Sequence, residues 1–231
     1  MVKDALPCTI LWVTTDARMP LSRERVLRAA VGLADEHGLR ALTMRRLAEE
    51  LGAEAMSLYY HVAKKEDVLD GIVDVVAAEI NEAVGRVEPS PDWKAAVRQR
   101  ILTARRVFLR HTWAPSLFET RSSTSTEVLR YYDTLVGLMR NGGFSYDLVH
   151  HALHALGSRA LGFSQEPFDP SAGESAEVPV DLAWQLPNLV GMLSEIAHDD
   201  PGSTLGWCDD QAEFEFGLDL VLDGLDRLRD R

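Results

Sequence analysis

TMRRLAEELGAEAMSLYYHVAKK, residues 43–65, decides how the chain is read. Thr43 is suited to cap a helix, because its hydroxyl accepts a hydrogen bond from a free backbone N–H. Leu47, Ala48 and Leu51 then share one helical face. Gly52 breaks the pattern where a turn needs a permissive residue. A second, very short helix is predicted over about 55–61, with Leu58 and Val62 pointing inward. That leaves Met56, Ser57, Tyr59, Tyr60 and His61 facing out. Two adjacent tyrosines and a methionine make little sense on a merely solvated face. They suit a surface that reads DNA, with hydroxyls for phosphates and apolar groups for thymine methyls. The residues alone leave a second reading open, a small α-hairpin whose aromatics pack on later helices.

The chain has 231 residues, 46% of them hydrophobic and 26% charged, which suits a soluble two-part protein with a sizeable core. Its net charge of −12 argues against a general nucleic-acid binder, but the charge is segregated. Residues 18–65 carry a net +3 and the remainder −15. Nucleic acid is therefore expected only at the N-terminal end. Cys8 and Cys208 fit no metal motif and no disulfide framework, so a reducing cytoplasm is the expected location. No run is long enough to span a membrane. ALPCTILWV (5–13) lacks the flanks of a secretion signal, and residues 1–20 read as a flexible arm, with Met19 an alternative start.

Helical periodicity continues along the chain, no stretch alternates like a strand, and the expected fold class is all-α. The first helix covers 21–37, capped by Ser22, with a stripe of Val26, Ala30, Leu33, Ala34 and His37 and a terminating Gly38. A longer helix begins at Glu66 and Asp67 and carries Val68, Leu69, Ile72, Val75, Val76 and Ile80. Arg86–Pro91 is the expected hinge. Further helices are predicted over 92–111, with a short one in WAPSLF (113–118), then over 126–140, closed by NGG, and from Ser145 to about 163. The stretch 164–180 reads as a mobile loop. Asp181–His198 is helical, with Pro187 marking a kink or a late start. In the last helix, 209–231, Phe214, Leu218, Val221, Leu225 and Leu228 come close to a heptad seam, with Gly217 and Gly224 beside it.

LSRERVLRAAVGLADEHGLRALTMRRLAEELGAEAMSLYYHVAKKEDVLDGIV (21–73) resembles the DNA-binding domain of the Tet repressor (TetR) family. DW (92–93), NGGF (141–144), ALGF (160–163) and FEFGLDLVLDGL (214–225) resemble the C-terminal domain of its tetracycline-repressor subgroup. The resemblance implies a helix-turn-helix domain at 21–66 and a ligand-binding and dimerisation domain at 67–231. It implies a cytoplasmic homodimer that binds a palindromic double-stranded DNA operator and is released by a small-molecule inducer. No enzymatic activity and no cofactor are expected. By resemblance, the DNA contacts are Thr43, Arg45, Met56, Ser57, Tyr59, Tyr60, His61 and Lys65, with Thr43 either meeting a phosphate or only capping its helix. Ala55 stands where tetracycline repressors have a base-reading glutamine, so the operator should differ.

The magnesium-tetracycline site of that subgroup has no counterpart here. Phe118 stands in place of its metal histidine, Arg100 and Ala104 in place of drug-gripping residues, and Asn81 in place of another histidine. The expected inducer is a lipophilic or aromatic metabolite held by Asn81, Arg100, Ala104, Phe108, Phe118, Tyr132 and His151. Ala152, Leu156, Arg159, Phe163, Phe214, Leu218, Val221 and Leu225 are the expected dimer residues. Two other readings remain: a helical metalloprotein built on His150 and His154, which lacks the carboxylates such sites use, and an activator with the same fold.

Overall fold

A computed structural model describes residues 20–86, 90–121, 125–162, 185–195 and 210–229. The expected arm, the 164–180 loop, Phe163 and both cysteines lie outside these residues. Among those described, every regular element is helical. The chain divides into two units, one through Ile72 and one from Val73.

The first unit holds α1 (Arg23–His37), a 3-10 turn (Leu39–Ala41), α2 (Met44–Glu50), α3 (Ala55–Leu58) and the start of α4 (Lys65–Gly85). Each begins where local chemistry favours it. The Ser22 hydroxyl accepts from Arg25 N at 3.2 Å, and that of Thr43 from Arg46 N at 3.2 Å, so each caps a helix. The turn after α2 places Gly52 at φ +61°, which a side chain would strain. Val26, Ala30, Leu33 and Ala34 of α1 meet Leu42, Leu47, Leu58 and Val62 in a dry core, each at most 4% exposed. His37 was expected to end this stripe, but it turns outward beside Glu36.

The second helix of the pair is shorter than its sequence suggests. α3 ends at Leu58, and Tyr59 to His61 form a turn. Their N–H groups bond three residues back, to Met56, Ser57 and Leu58 carbonyls. Leu58 and Val62 remain the anchors, at 0% and 2% exposure.

The second unit continues α4 and adds α5 (Trp93–Arg110), α6 (Ala114–Thr120), α7 (Thr126–Asn141), α8 (Tyr146–Gly162), α9 (Pro187–Glu195) and α10 (Asp210–Arg229). α9 begins at Pro187, and the expected start of that helix at 181–184 lies outside the described residues. Asp92 caps α5 by accepting from Ala95 N at 2.9 Å, and Ser125 and Ser145 cap α7 and α8 in the same way. The DW and NGGF motifs meet in the core. The Trp93 ring lies edge-on to Phe144 at 4.5 Å between centroids, and a Cβ at Gly142 would fall 2.7 Å from Trp93 Cβ. Only glycine lets the end of α7 pass the tryptophan this closely.

α5 and α10 run antiparallel and are joined by charge. Arg98 donates to Glu215 at 2.6 Å and to Asp219 at 2.7 Å. Lys94 pairs with Asp223, and Arg105 Nε donates to Gln211 at 3.2 Å. The hydrogen bonds from Gln211 and Arg98 hold the Glu215 carboxyl below its ordinary range, and Lys94 does the same for Asp223. A second junction ties α4 to the end of α5. Glu79 accepts from Arg110, and its other oxygen lies 3.0 Å from Nε2 of the buried His111. Partial burial pushes the Glu79 carboxyl up, but the hydrogen bonds and charges of Arg110 and His111 outweigh it and hold it below its usual value.

The last helix differs from expectation in a way that matters. Phe214, Leu218 and Leu225, read as dimer residues, are 0%, 0% and 6% exposed within a single chain. Together with Leu222 they pack on Trp93, Val97, Ile101, Leu135, Met139 and Phe144. Ala152 and Leu156 of α8 belong to the same core, at 0% and 3% exposure. Arg159 donates to the Glu213 carbonyl and fills the space left by Gly217 of its own chain. Val221 is half-buried against this core. These residues hold the protomer together and have little surface left to offer a second copy.

Two consequences follow from this packing. Thr43→Ala should lower the unfolding free energy of the N-terminal unit by about 1 kcal/mol, and Thr43→Ser should restore it, as measured by urea titration. Glu79→Gln should destabilise the chain at pH 7 by about 1 kcal/mol, a discounted figure because the carboxylate is 37% exposed and water screens it. A carboxyl held low when folded stabilises above its ordinary value of 4.5, so the gap between wild type and variant should close as pH falls below that value. Thermal melts across pH 3–7 check this as an order-of-magnitude window.

Candidate DNA-reading surface and ligand cavities

α2 and α3 present the N-terminal surface. Tyr60 is 89% exposed, Met56 71% and Tyr59 43%. Exposure of this size on three large apolar side chains around one helical turn is costly in water and marks a contact surface. Leu58 and Val62 are buried beneath them, so the display rests on two anchors. Arg45 is also outward, its side chain 88% exposed and held by Glu49 at 3.0 Å. Ser57 and His61 are less available than expected. Both are half-buried, and the Ser57 hydroxyl donates to the Glu54 carbonyl at 2.6 Å. Ala55 starts α3 half-buried, Thr43 is committed to its cap, and Lys65 opens α4.

The expected ligand residues separate into two sites. Ala104, Phe108, Phe118 and Tyr132 come together in an apolar cavity, joined by Ala77, Ile80, Ile101, Tyr131, Leu153 and Leu156. Phe108 and Phe118 meet edge to face at 5.3 Å. The free space is about 60 Å³, room for a few waters, so side chains must move to admit an organic molecule.

Asn81 and Arg100 instead line a cleft of about 370 Å³ with Val84, Gln99, Thr103 and Thr134. Arg100 is only 8% exposed, and its guanidinium lies 4.5 Å from the Tyr131 ring centroid. One terminal nitrogen reaches the Tyr131 carbonyl at 3.5 Å, while Nε has no partner. Burial lowers the Arg100 pKa from its ordinary value and raises that of Tyr131. Asn81 Nδ2 donates to the Glu127 carbonyl and carboxylate, both at 2.9 Å, whereas its buried Oδ1 is unmatched. The sequence named both residues without showing that their polar atoms would be left open.

His151 lies in neither cavity. Its side chain is 69% exposed on α8, with Asp147 3.9 Å away. The reason is helical phase: Ala152 and Leu156 take the inward face, which turns residue 151 to solvent. His150 and His154 stack along α8 with ring centroids 4.7 Å apart, and both are exposed. Among the described residues no group of three or more histidines, cysteines or acids could hold a metal ion. None of the described helices is long and apolar enough to cross a membrane.

Comparison with known proteins bears on both surfaces. Residues 26–72 match the model of the bacterial regulatory proteins of the tetR family, and residues 87–229 that of the tetracyclin repressor-like C-terminal domain. An HTH-type transcriptional regulator of Saccharopolyspora erythraea is 35% identical over 205 residues, covering 89% of this chain and 84% of that protein. A crystal structure of a possible TetR family transcriptional regulator from Streptomyces coelicolor A3(2) superposes with a TM-score of 0.74 at 28% identity, covering 90% of this chain and all of that one. The TetR family protein ActR from Streptomyces coelicolor, solved with (S)-DNPA bound, gives 0.66 at 27% identity, covering 90% and 98% of the two chains. An all-helical fold with a helix-turn-helix at one end, matched along both units to this group of transcription regulators, means that the chain belongs to the TetR family.

Proposed function

We propose that this chain is a homodimeric repressor whose N-terminal units bind a palindromic operator and whose C-terminal units bind an organic inducer. The observation that carries this reading is α4. One unbroken helix begins at Lys65, beside the exposed Met56–Tyr60 turn, and lines the apolar cavity at Ala77 and Ile80. A ligand that needs more than the present 60 Å³ has to displace those residues. Displacing one end of a stiff helix moves what the other end carries. Binding free energy that differs between the two positions then sets how far operator affinity falls. ActR, solved with a bound small molecule, supports an organic inducer.

On DNA, Tyr60 and Tyr59 meet the backbone with their hydroxyls, Met56 meets base edges, and Lys65 meets a phosphate. Arg45 reaches a base only by leaving Glu49. The net +3 of residues 18–65 draws this end to DNA, while the −15 of the remainder holds the rest away and in the cytoplasm keeps unspecific association low. Thr43 acts as a cap. The inducer is not magnesium-tetracycline, because Phe118 faces the cavity where that ligand would need a metal-binding side chain.

The dimer face is reassigned. α10 leaves Phe216 64% exposed, Leu220 55% and Leu228 45%, opposite its buried Phe214, Leu218 and Leu222. α8 adds its exposed His150 and His154. An apolar row on a long helix that already packs its other face invites a second copy by helix-on-helix packing.

Tyr60→Ala should weaken operator binding in gel shifts at least about tenfold, the worth of one hydrogen bond to a charged phosphate, and leave the melting temperature unchanged because the side chain touches no core. Unchanged affinity would remove α3 as the reading element. Phe216→Glu with Leu220→Glu should turn the dimer into a folded monomer in sedimentation and abolish cooperative occupancy of both operator halves. A variant that remained dimeric would place the interface elsewhere.

A further inference from the structure

The Arg100–Asn81 cleft sets a requirement on what can bind it. Arg100 is more than nine-tenths buried, and its Nε finds no acceptor. A buried guanidinium with an open donor is expensive unless something supplies the missing charge. The Glu127, Thr103 and Thr134 side chains beside it are committed elsewhere. The Glu127 carboxylate accepts from Arg130 at 2.6 Å and from Asn81. The Thr103 hydroxyl accepts from Arg106 at 2.8 Å, and that of Thr134 donates to the Arg130 carbonyl at 3.0 Å. Asn81 Oδ1 waits for a donor in the same cleft. Tyr131 links the two sites, because its ring carries Arg100 on one side and lines the apolar cavity on the other.

We propose that the effector is an acid: its carboxylate accepts from Arg100, a hydroxyl of the same molecule donates to Asn81 Oδ1, and its apolar body extends past Tyr131 towards the Phe108–Phe118 cavity. This rests on the ligand-responsive reading above and specifies the chemistry of its ligand. A carboxylate fits because a guanidinium presents parallel donors to it and gains most from doing so in a water-poor site. Fully apolar ligands would leave the buried charge as exposed to loss as it is now. A cationic ligand would add repulsion.

The test uses the full chain with 6-hydroxy-2-naphthoate, its methyl ester and 2-naphthol as probes, followed by equilibrium dialysis. The acid should bind the wild type at least about tenfold more tightly than the ester or the naphthol, the worth of one charge-assisted hydrogen bond. Arg100→Met, which keeps the length and stacking surface but removes the charge, should erase that preference, bind the ester as the wild type does and melt no lower than the wild type. Arg100→Lys should retain part of it. Equal binding of acid and ester, no binding of the acid up to millimolar concentration, or a preserved preference in Arg100→Met would each overturn the proposal. So would a large fall in melting temperature in both variants, which would make Arg100 a structural residue. Operator gel shifts on the same samples separate the two readings. Intact DNA binding with no acid preference sinks only the acid, whereas absent DNA binding sinks the regulator.

Discussion

α5 has to satisfy three different neighbours at once, and the C-terminal unit depends on that. One face, Trp93, Val97 and Ile101, is dry and packs on α7, α8 and α10. A second, Lys94 and Arg98, pairs with the acidic row of α10. A third carries Arg100 into the cleft and Ala104 and Phe108 into the apolar cavity. A helix returns to the same direction only every 3.6 residues, so these demands fix its rotation to within one residue position. Turning α5 by one residue would bring Arg100 into the core and Val97 to water. The ion pairs with α10 contribute little energy individually, since most are partly exposed. Their value lies in register: they are satisfied together in one antiparallel alignment.

Much of this was legible from the residues. Apolar stripes placed the first, fourth, fifth and last helices, and the polar residues Ser22, Thr43 and Ser145 marked starts that the structure keeps. What periodicity cannot say is against what a stripe packs. Phe214, Leu218 and Leu225 have the spacing of a seam between copies, yet they close the protomer's own core. α10 is apolar on two sides, and a 4-3 rhythm reads the same on either. His151 departs from the expected ligand set for a similar reason, since one step along α8 separates the buried Ala152 from solvent. The short α3 had a different cause. Tyr59–His61 continue the helical rhythm in sequence but bond three residues back, a tightening that side-chain spacing does not encode.

The two cavities differ in what they offer a ligand. The apolar one has little free space, so deep hydrophobic burial there is gained by moving protein atoms, including those of α4. The cleft is already open and holds polar atoms with unmet valence. A ligand engaging both would take its orientation from the cleft and do its mechanical work in the cavity. Tyr131 is shared by the two, lining the cavity and stacking on Arg100 of the cleft.

The exposed Met56–Tyr60 turn rests on just two buried side chains, Leu58 and Val62, while Met56, Tyr59 and Tyr60 contribute almost nothing to the interior. Stability and surface chemistry are therefore written in different letters of the same seven-residue word. Exchange at the three exposed positions is free of the folding penalty that constrains core positions. A gene duplicate could change the chemistry of this surface through these three positions alone and keep its fold intact throughout.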